Sequence, residues 1–274
     1  MIPGDIVYLR PETAAEAVAV WSRHEGARYL AGGTEITTSA RRTAAYDLRA
    51  CIDIKRIPDL QVCEIRGDRL VLGATLTLGE ITDRDDFPLL AATCRGIADH
   101  TVRNRLTLGG NLAGMLPYRE AALPLLVADA VVHSLAPGPN GGAPVHRERR
   151  LRELFDRRLV LAPGELVLAF SVPVAATRCP WHHRRKTRTG PVDYPLATTC
   201  LLRDGTSFRL AIAGAHPYPF RSDAIDAALS RDGAAAIPDV VRAFGPLKGD
   251  SRASAEYRVH LLQNMLRTSL EKLA

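Results

Sequence analysis

Apolar positions along the chain recur with two periods, and each change of period marks an element. "DIVYLR" reads as a short extended strand, and "TAAEAVAVWSRH" (residues 13–24) has helical spacing with Thr13 as its N-cap. "ARYLAGG" is a strand running into Gly32 and Gly33, after which "TEITTSARR" starts a helix with Thr34 near its cap. "YDLRACIDIKRI" is a strand ending in a turn at Pro58, and "LQVCEIRGDRLVLGA" predicts a hairpin about Arg66-Gly67-Asp68. Helices are expected over "TLGEITDR", "PLLAATCRGIAD" and residues 119–127. A strand near "DAVVHSL", an exposed loop at "APGPNGGAP" and a strand over "GELVLAFSVP" (residues 164–173) complete this region.

The pattern changes after "VAATRC". "WHHRRKT", "YPLATTCLLRDG" and "SFRLAIAGAH" read as three sequential strands, the last two joined by a tight turn at Asp204-Gly205. Helices close the chain, the last over residues 254–273. Strands followed by helices predict an α+β unit separate from the first. The expected fold class is therefore α+β. Residues 1–175 form a first domain of two α/β subdomains, about 1–55 and 56–175. Residues 176–274 form a C-terminal α+β domain with a three-stranded antiparallel sheet and helices.

Composition narrows the function classes. Hydrophobic residues make up 46% of the 274, enough for ample cores, and no uninterrupted apolar run reaches the ~20 residues of a membrane span. The N-terminus has neither the basic start nor the apolar core of a signal peptide, so a cytoplasmic location is expected. Five scattered cysteines, Cys51, Cys63, Cys94, Cys179 and Cys200, form no C-x-x-C pair; neither a disulfide framework nor a metal site is expected. The net charge is +6, yet no stacking aromatics interleave with the basic runs, which argues against nucleic acid. A basic surface suits a phosphorylated small molecule or an acidic protein equally well.

Two glycine pairs stand out. A strand ends in "AGGTE" (residues 31–35), and "TLGGN" (residues 107–111) precedes a helix. Glycine there admits φ > 0 and lets a ligand reach main-chain N–H groups without meeting a Cβ. Successive N–H groups near a helix start make an anion site, with Thr34, Thr107 and Asn111 as further donors. Neither loop matches the G-x-G-x-x-G or P-loop pattern. Each pair alone is equally a plain turn element, so spacing leaves a pyrophosphate site and a structural turn both open.

The order of "LAGGTEI", "IDIKRIPDL…RLVLGATLTLGEI", "VRNRLTLGGNLAG…P", "GELVLAFSVP", "KTRTGPVDYPLA" and "DSRASAEYRVHLL" resembles the FAD-binding subunit of molybdenum hydroxylases, the xanthine dehydrogenase and CO dehydrogenase flavoprotein family. The resemblance covers nearly the whole chain. It implies FAD as cofactor, with its pyrophosphate clasped by Ala31, Gly32, Gly33, Thr34 and Glu35 and by Thr107, Leu108, Gly109, Gly110 and Asn111. Leu30 and Ala31 match positions lining the cofactor, Glu120 an acidic residue that hydrogen-bonds the adenosine, and Leu166 a residue packing on the adenine. Lys186 matches a lysine that reaches the cofactor from the C-terminal domain. It also implies an electron-transfer subunit with no catalytic side chain of its own, active with a molybdenum-cofactor large subunit and a [2Fe–2S] small subunit, and passing electrons to NAD+ or another acceptor. A stand-alone FAD-dependent oxidase or dehydrogenase and a non-catalytic dinucleotide-binding subunit are the alternatives. The chain departs from the pattern at Tyr118-Arg119-Glu120, where small residues and Asp are usual, so the contacts at the adenosine end are expected to differ.

Overall fold

The computed structural model describes residues 5–40, 48–247 and 249–274. In chain order its first elements are β1 (Val7–Leu9), α1 (Ala14–Arg23), β2 (Ala27–Leu30), α2 (Thr34–Ala40) and β3 (Ala50–Asp53). The hairpin follows as β4 (Cys63–Arg66) and β5 (Arg69–Gly73), then α3 (Leu78–Arg84), α4 (Pro88–Arg95), α5 (His100–Arg103), α6 (Leu108–Ala113) and α7 (Ala122–Val127). Next are β6 (Val131–Ala136), β7 (Val145–Arg150), α8 (Leu151–Leu154), β8 (Phe155–Asp156), β9 (Arg158–Leu159), β10 (Leu166–Pro173) and α9 (Val174–Arg178). The last stretch holds β11 (Trp181–Thr187), β12 (Pro195–Asp204), β13 (Ser207–Ala213), β14 (Phe220–Arg221), α10 (Asp223–Asp232), α11 (Ile237–Ala243) and α12 (Ala255–Leu273). The expected end of the second helix at residues 41–42 and start of the third strand at residues 46–47 lie outside the described residues.

The chain divides into two compact units. One comprises Met1–Glu80, His100–Met115 and Ala130–Pro173. Its small sheet is parallel, in the order β1-β3-β2, with β3 buried throughout. Ala14, Ala17 and Val18 recur at helical spacing on α1, below the Thr13 cap, and pack with Ile52, Ile54, Ile57 and Leu60. A second, antiparallel sheet runs β4-β5-β10-β6-β7. Its central strand β10 is buried from Leu166 to Val172, which is why "LVLAFSV" is apolar without alternation. Tyr29 donates to the Gly164 carbonyl at 2.8 Å, and Trp21 lies against Gly164, whose φ is +73°. These contacts seat the turn before β10 on α1 and β2.

Edge strand β7 escapes hydrophobic patterning, because "VHRERR" reads as a solvated basic run. Alternation explains it: Arg147 and Arg149 both turn toward the buried Glu165, which also accepts from Ser134 Oγ at 2.5 Å and the Ala162 amide at 2.9 Å. Buried acceptors are satisfied by paired donors.

The other unit comprises Ile81–Asp99, Leu116–Asp129 and Val174–Ala274. Its antiparallel sheet, β11-β12-β13-β14, contains the three expected strands plus the two-residue β14. Leu201, Leu210 and Ile212 form a core with Ile225, Leu229, Ile237, Val240 and Val241, closed by Leu262, Met265, Leu266 and Leu270 of α12. Ser254 caps α12, accepting from the Tyr257 amide at 3.1 Å. Helix α7 begins three residues later than its composition predicts. Arg119 takes φ +32°, which ends helical continuation, and both Arg119 and Glu120 are buried.

His183 on β11 is half-buried beside Arg185 and His182, and loss of hydration pushes its pKa down to about 4. Unfolded, it would take a proton near 6.5. The neutral form therefore favours the fold: this contribution is intact above pH 6.5 and is lost as pH falls from 6.5 towards 4. The loss is on the order of 3 kcal/mol. Denaturant unfolding at pH 7 and pH 4.5 should show that slope in the native chain, and His183→Gln should flatten it. Equal slopes would mean that His183 plays no part in acid sensitivity.

Candidate functional site

Strand β2 ends at Leu30, and α2 begins at Thr34; the three residues between turn the chain sharply. Gly33 has φ +71°, and its carbonyl accepts from the Thr37 amide at 3.0 Å and the Thr37 hydroxyl at 2.5 Å. Leu30 packs under the turn, its Cδ1 2.9 Å from where a Gly33 Cβ would stand. Among the described residues, no hydrogen bond engages the N–H groups of Gly32, Gly33 and Thr34. Three successive donors around a left-handed residue form a concave nest for an anionic oxygen.

The second loop is built differently. Residues 75–80 and 105–110 meet antiparallel about a bridge between Thr77 and Thr107. Leu78 N–H donates to Leu106 O at 2.7 Å, and Leu108 N–H to Leu76 O at 2.9 Å, so the two Thr-Leu-Gly stretches are related by a local two-fold. Each threonine caps the helix it precedes: Thr77 Oγ1 accepts from Glu80 N at 3.1 Å and Thr107 Oγ1 from Gly110 N at 3.2 Å. The glycines permit the approach. A Cβ on Gly79 would lie 2.0 Å from Asn104 Oδ1, and one on Gly109 2.9 Å from both the Cβ and the carbonyl oxygen of Ala74.

The symmetry breaks at one position. Glu80 Oε2 accepts from both the amide and the hydroxyl of Thr77, at 2.8 Å each, which completes a capping box. Gly110 occupies the equivalent place and carries no acceptor. The Thr107 amide accordingly has no hydrogen-bond partner among the described residues, although Thr107 is buried. What Glu80 supplies to Thr77 is an anionic oxygen held by one N–H and one O–H. The same donor pair at Thr107 fits an oxygen of the same chemistry from elsewhere.

This corrects one expectation. The loop at residues 107–111 does not offer a row of amides, because those of Leu108, Gly109, Gly110 and Asn111 are bound to Leu76 O, Ala74 O, Thr107 Oγ1 and Thr107 O. Its open donors are those of Thr107, while the bare Gly110 is exposed.

The two loops lie side by side within their unit. A Cβ on Gly32 would stand 1.7 Å from the Arg105 carbonyl oxygen. Glu35 Oε1 accepts from the Met115 amide at 2.6 Å, and a Cβ on Gly114 would fall 2.3 Å from Glu35 Oε2. Glu35 therefore braces the first loop to the end of α6 through a charge-assisted bond. Ala31 packs against the core that contains Leu166, which is itself buried among α1 and β3 side chains.

The remaining two expected residues belong to the other unit. Lys186 is exposed on β11 beside a bulge. Glu120 is buried: Oε1 accepts from Arg185 Nε at 2.9 Å and Thr198 Oγ1 at 2.6 Å, and Oε2 from Arg185 Nη2 at 3.4 Å. Burial pushes its carboxyl above the usual range, against the pull of Arg185 and Thr198. His182 Nδ1 is hydrogen-bonded to Ser269 Oγ at 2.9 Å. Sequence reasoning did not single out Arg185, Thr198, Thr77 or Glu80. The repeated "TLG" at residues 77–79 and 107–109 was the available signal for the last two.

Comparison with known proteins gives a consistent picture. The family described as "FAD binding domain in molybdopterin dehydrogenase" matches residues 4–175. The chain is 26% identical to the carbon monoxide dehydrogenase medium chain of Hydrogenophaga pseudoflava, covering 98% of this chain and 97% of that one. It is 25% identical to a putative xanthine dehydrogenase FAD-binding subunit of Escherichia coli, over 94% of this chain and 92% of that one. The solved carbon monoxide dehydrogenase from H. pseudoflava that lacks the Mo-pyranopterin moiety superposes with a TM-score of 0.85 at 27% identity, covering 99% and 98% of the two chains.

Apposition of the two loops has a direct test. Gly32→Ala must push residue 32 away from the Arg105 carbonyl and should cost about 1–3 kcal/mol in guanidinium unfolding. Gly190→Ala, where a Cβ meets nothing within 4 Å, should leave stability unchanged. Equal stability of the two variants would mean that the close approach is not needed.

Proposed function

The chain belongs to the family of FAD-binding domains in molybdopterin dehydrogenases, and on that premise we propose that it is the flavin-bearing electron-transfer subunit of a molybdenum hydroxylase-type dehydrogenase. Electrons would arrive from a [2Fe–2S] small subunit, itself fed by a molybdenum-cofactor large subunit, and leave to NAD+ or another acceptor. FAD is its cofactor, and the protein is an oxidoreductase component. Relatives that span nearly the same length are themselves medium chains, which supports activity only alongside partner chains. Among the described residues no helix is long and apolar enough to cross a membrane, which is compatible with the cytoplasmic placement proposed here.

The observation that carries this reading is the broken two-fold at Gly110. One half of the pair is capped by its own carboxylate, and the other holds an amide and a hydroxyl ready for an anionic oxygen. Thr107, together with the nest at Gly32, Gly33 and Thr34, would hold the pyrophosphate. Gly110 keeps the approach clear, Gly109 lets the loop pack on Ala74, and Asn111 borders it. Leu30 and Ala31 would line the cofactor, with Leu166 behind Ala31, and Glu35 would hold the two loops in register. Bound FAD supplies the redox chemistry, exchanging electrons singly or in pairs. The chain's own residues bind and orient it; none is required to act as a nucleophile or a general acid.

Purified chain titrated with FAD should quench flavin fluorescence and gain flavin absorption bands. Gly110→Glu brings to Thr107 the carboxylate that Glu80 supplies to Thr77, with the Thr107 hydroxyl shifting from a Cβ that would otherwise stand 2.7 Å away, so the variant should stay folded and lose at least tenfold in FAD affinity. Unchanged FAD affinity in a folded Gly110→Glu chain would overturn the assignment. Copurification of two further chains with molybdenum and iron tests the partner part; turnover by the chain alone would replace it with a stand-alone oxidoreductase.

A further inference from the structure

Glu120 stands where the resemblance places an adenosine ligand, yet its carboxylate is committed inside the unit that contains β11 and β12. Arg185 on β11 and Thr198 on β12 are cross-strand partners, and both reach it. Arg185 is not exhausted by that contact. Its Nη1 donates to Pro191 O at 3.1 Å and its Nη2 to Asp193 O at 2.6 Å, so one guanidinium joins a buried carboxylate to two carbonyls of the loop after Lys186. The stem is accommodated at Gly96, where a Cβ would come 2.9 Å from Arg185 Cδ.

The same loop is gripped from its other side. Asp193 accepts from the amides of Arg188, Thr189 and Tyr194 at 3.2, 3.2 and 2.7 Å, and from Arg252 Nη2 at 2.8 Å. Arg252 also donates to Tyr118 Oη at 3.3 Å, and Tyr118 stacks on Tyr194 with ring centroids 4.8 Å apart. Tyr118 and Glu120, two of the three residues at which the chain departs from the family pattern, therefore both act on one loop. Tyr118 packs on its last residue, and Glu120 anchors the arginine that holds its middle.

We propose that Glu120 and Arg185 are a positioning pair that fixes the 187–194 loop, and with it Lys186 and Tyr194, and that Glu120 is not a ligand of the adenosine. This rests on the FAD reading for its functional meaning, but its geometry is independent of it. A bidentate ion pair whose carboxylate is only 4% exposed has little to offer ribose hydroxyls, whereas a fork spanning carboxylate and backbone carbonyls is suited to holding a turn in one conformation.

The test uses the full chain with two readouts. Trypsin cleavage at Arg188–Thr189, followed by the mass of the fragment beginning at Thr189, reports the loop. ADP affinity reports the adenosine and pyrophosphate contacts alone. Arg185→Lys keeps the charge but loses the fork, and Glu120→Gln loses the charge. Both should raise cleavage at least tenfold and leave ADP affinity within twofold. Glu120→Asp, too short to span to Arg185, is the milder third variant, with the same expectation should Glu120→Gln not fold. Wild-type cleavage rates in the folded variants, or a tenfold loss of ADP affinity on Glu120→Gln, would overturn the proposal. Failure of the native chain to bind either FAD or ADP would defeat the flavin reading instead, while the cleavage readout would still decide whether the pair positions the loop.

Discussion

The candidate site depends on one constraint: buried main-chain amides need acceptors. Where the two Thr-Leu-Gly stretches cross, every amide from Leu108 to Asn111 finds one within the protein, and so does that of Thr77. The reciprocal Leu78–Leu106 and Leu108–Leu76 bonds fix the crossing, and Gly79 and Gly109 allow it. With so much satisfied locally, what remains is sharply defined. Thr107 and the turn at residues 32–34 hold donors of one kind, and Glu80 shows on the other side of the pseudo-axis what chemistry they accept. FAD as cofactor comes with the family; the hydrogen bonds the chain makes to itself say only which donors stay open to an anionic oxygen.

The two glycine pairs, alike in sequence, do different work. Gly33 supplies a left-handed turn whose amides find no acceptor among the described residues. Gly109 supplies close packing on Ala74, and its own amide is consumed there. Gly110 matters for the side chain it lacks. Glu35, which sequence alone could assign only to a helix's first turn, crosses to an amide eighty residues away. A carboxylate so placed contributes by keeping neighbouring loops together rather than by meeting an anion, which it would repel.

Much of the fold was legible. Thr13 announced its helix, the Gly67 and Gly205 turns announced their hairpins, and β11 matched "WHHRRKT" at both ends. What escaped had specific causes. Helix α7 was extended too far because Arg119 and Glu120 are good helix formers, and nothing local betrays that Arg119 is left-handed and both are buried. Strand β7 was hidden by its charges, whose partner Glu165 lies across the sheet. The commitment of Glu120 to Arg185 and Thr198 spans 65 and 78 residues, beyond any periodicity. Such long-range pairings decide chemistry, and a single sequence does not display them.

The borders of the five-stranded sheet have a consequence of their own. Its outermost strands, β4 with Glu64 and Arg66 and β7 with its alternating arginines, are the two places where another polypeptide could add a strand. Charged borders make that addition unfavourable. A chain with such borders is protected from lateral growth into aggregates, so the residues least readable as structure also guard its sheet against unwanted strands.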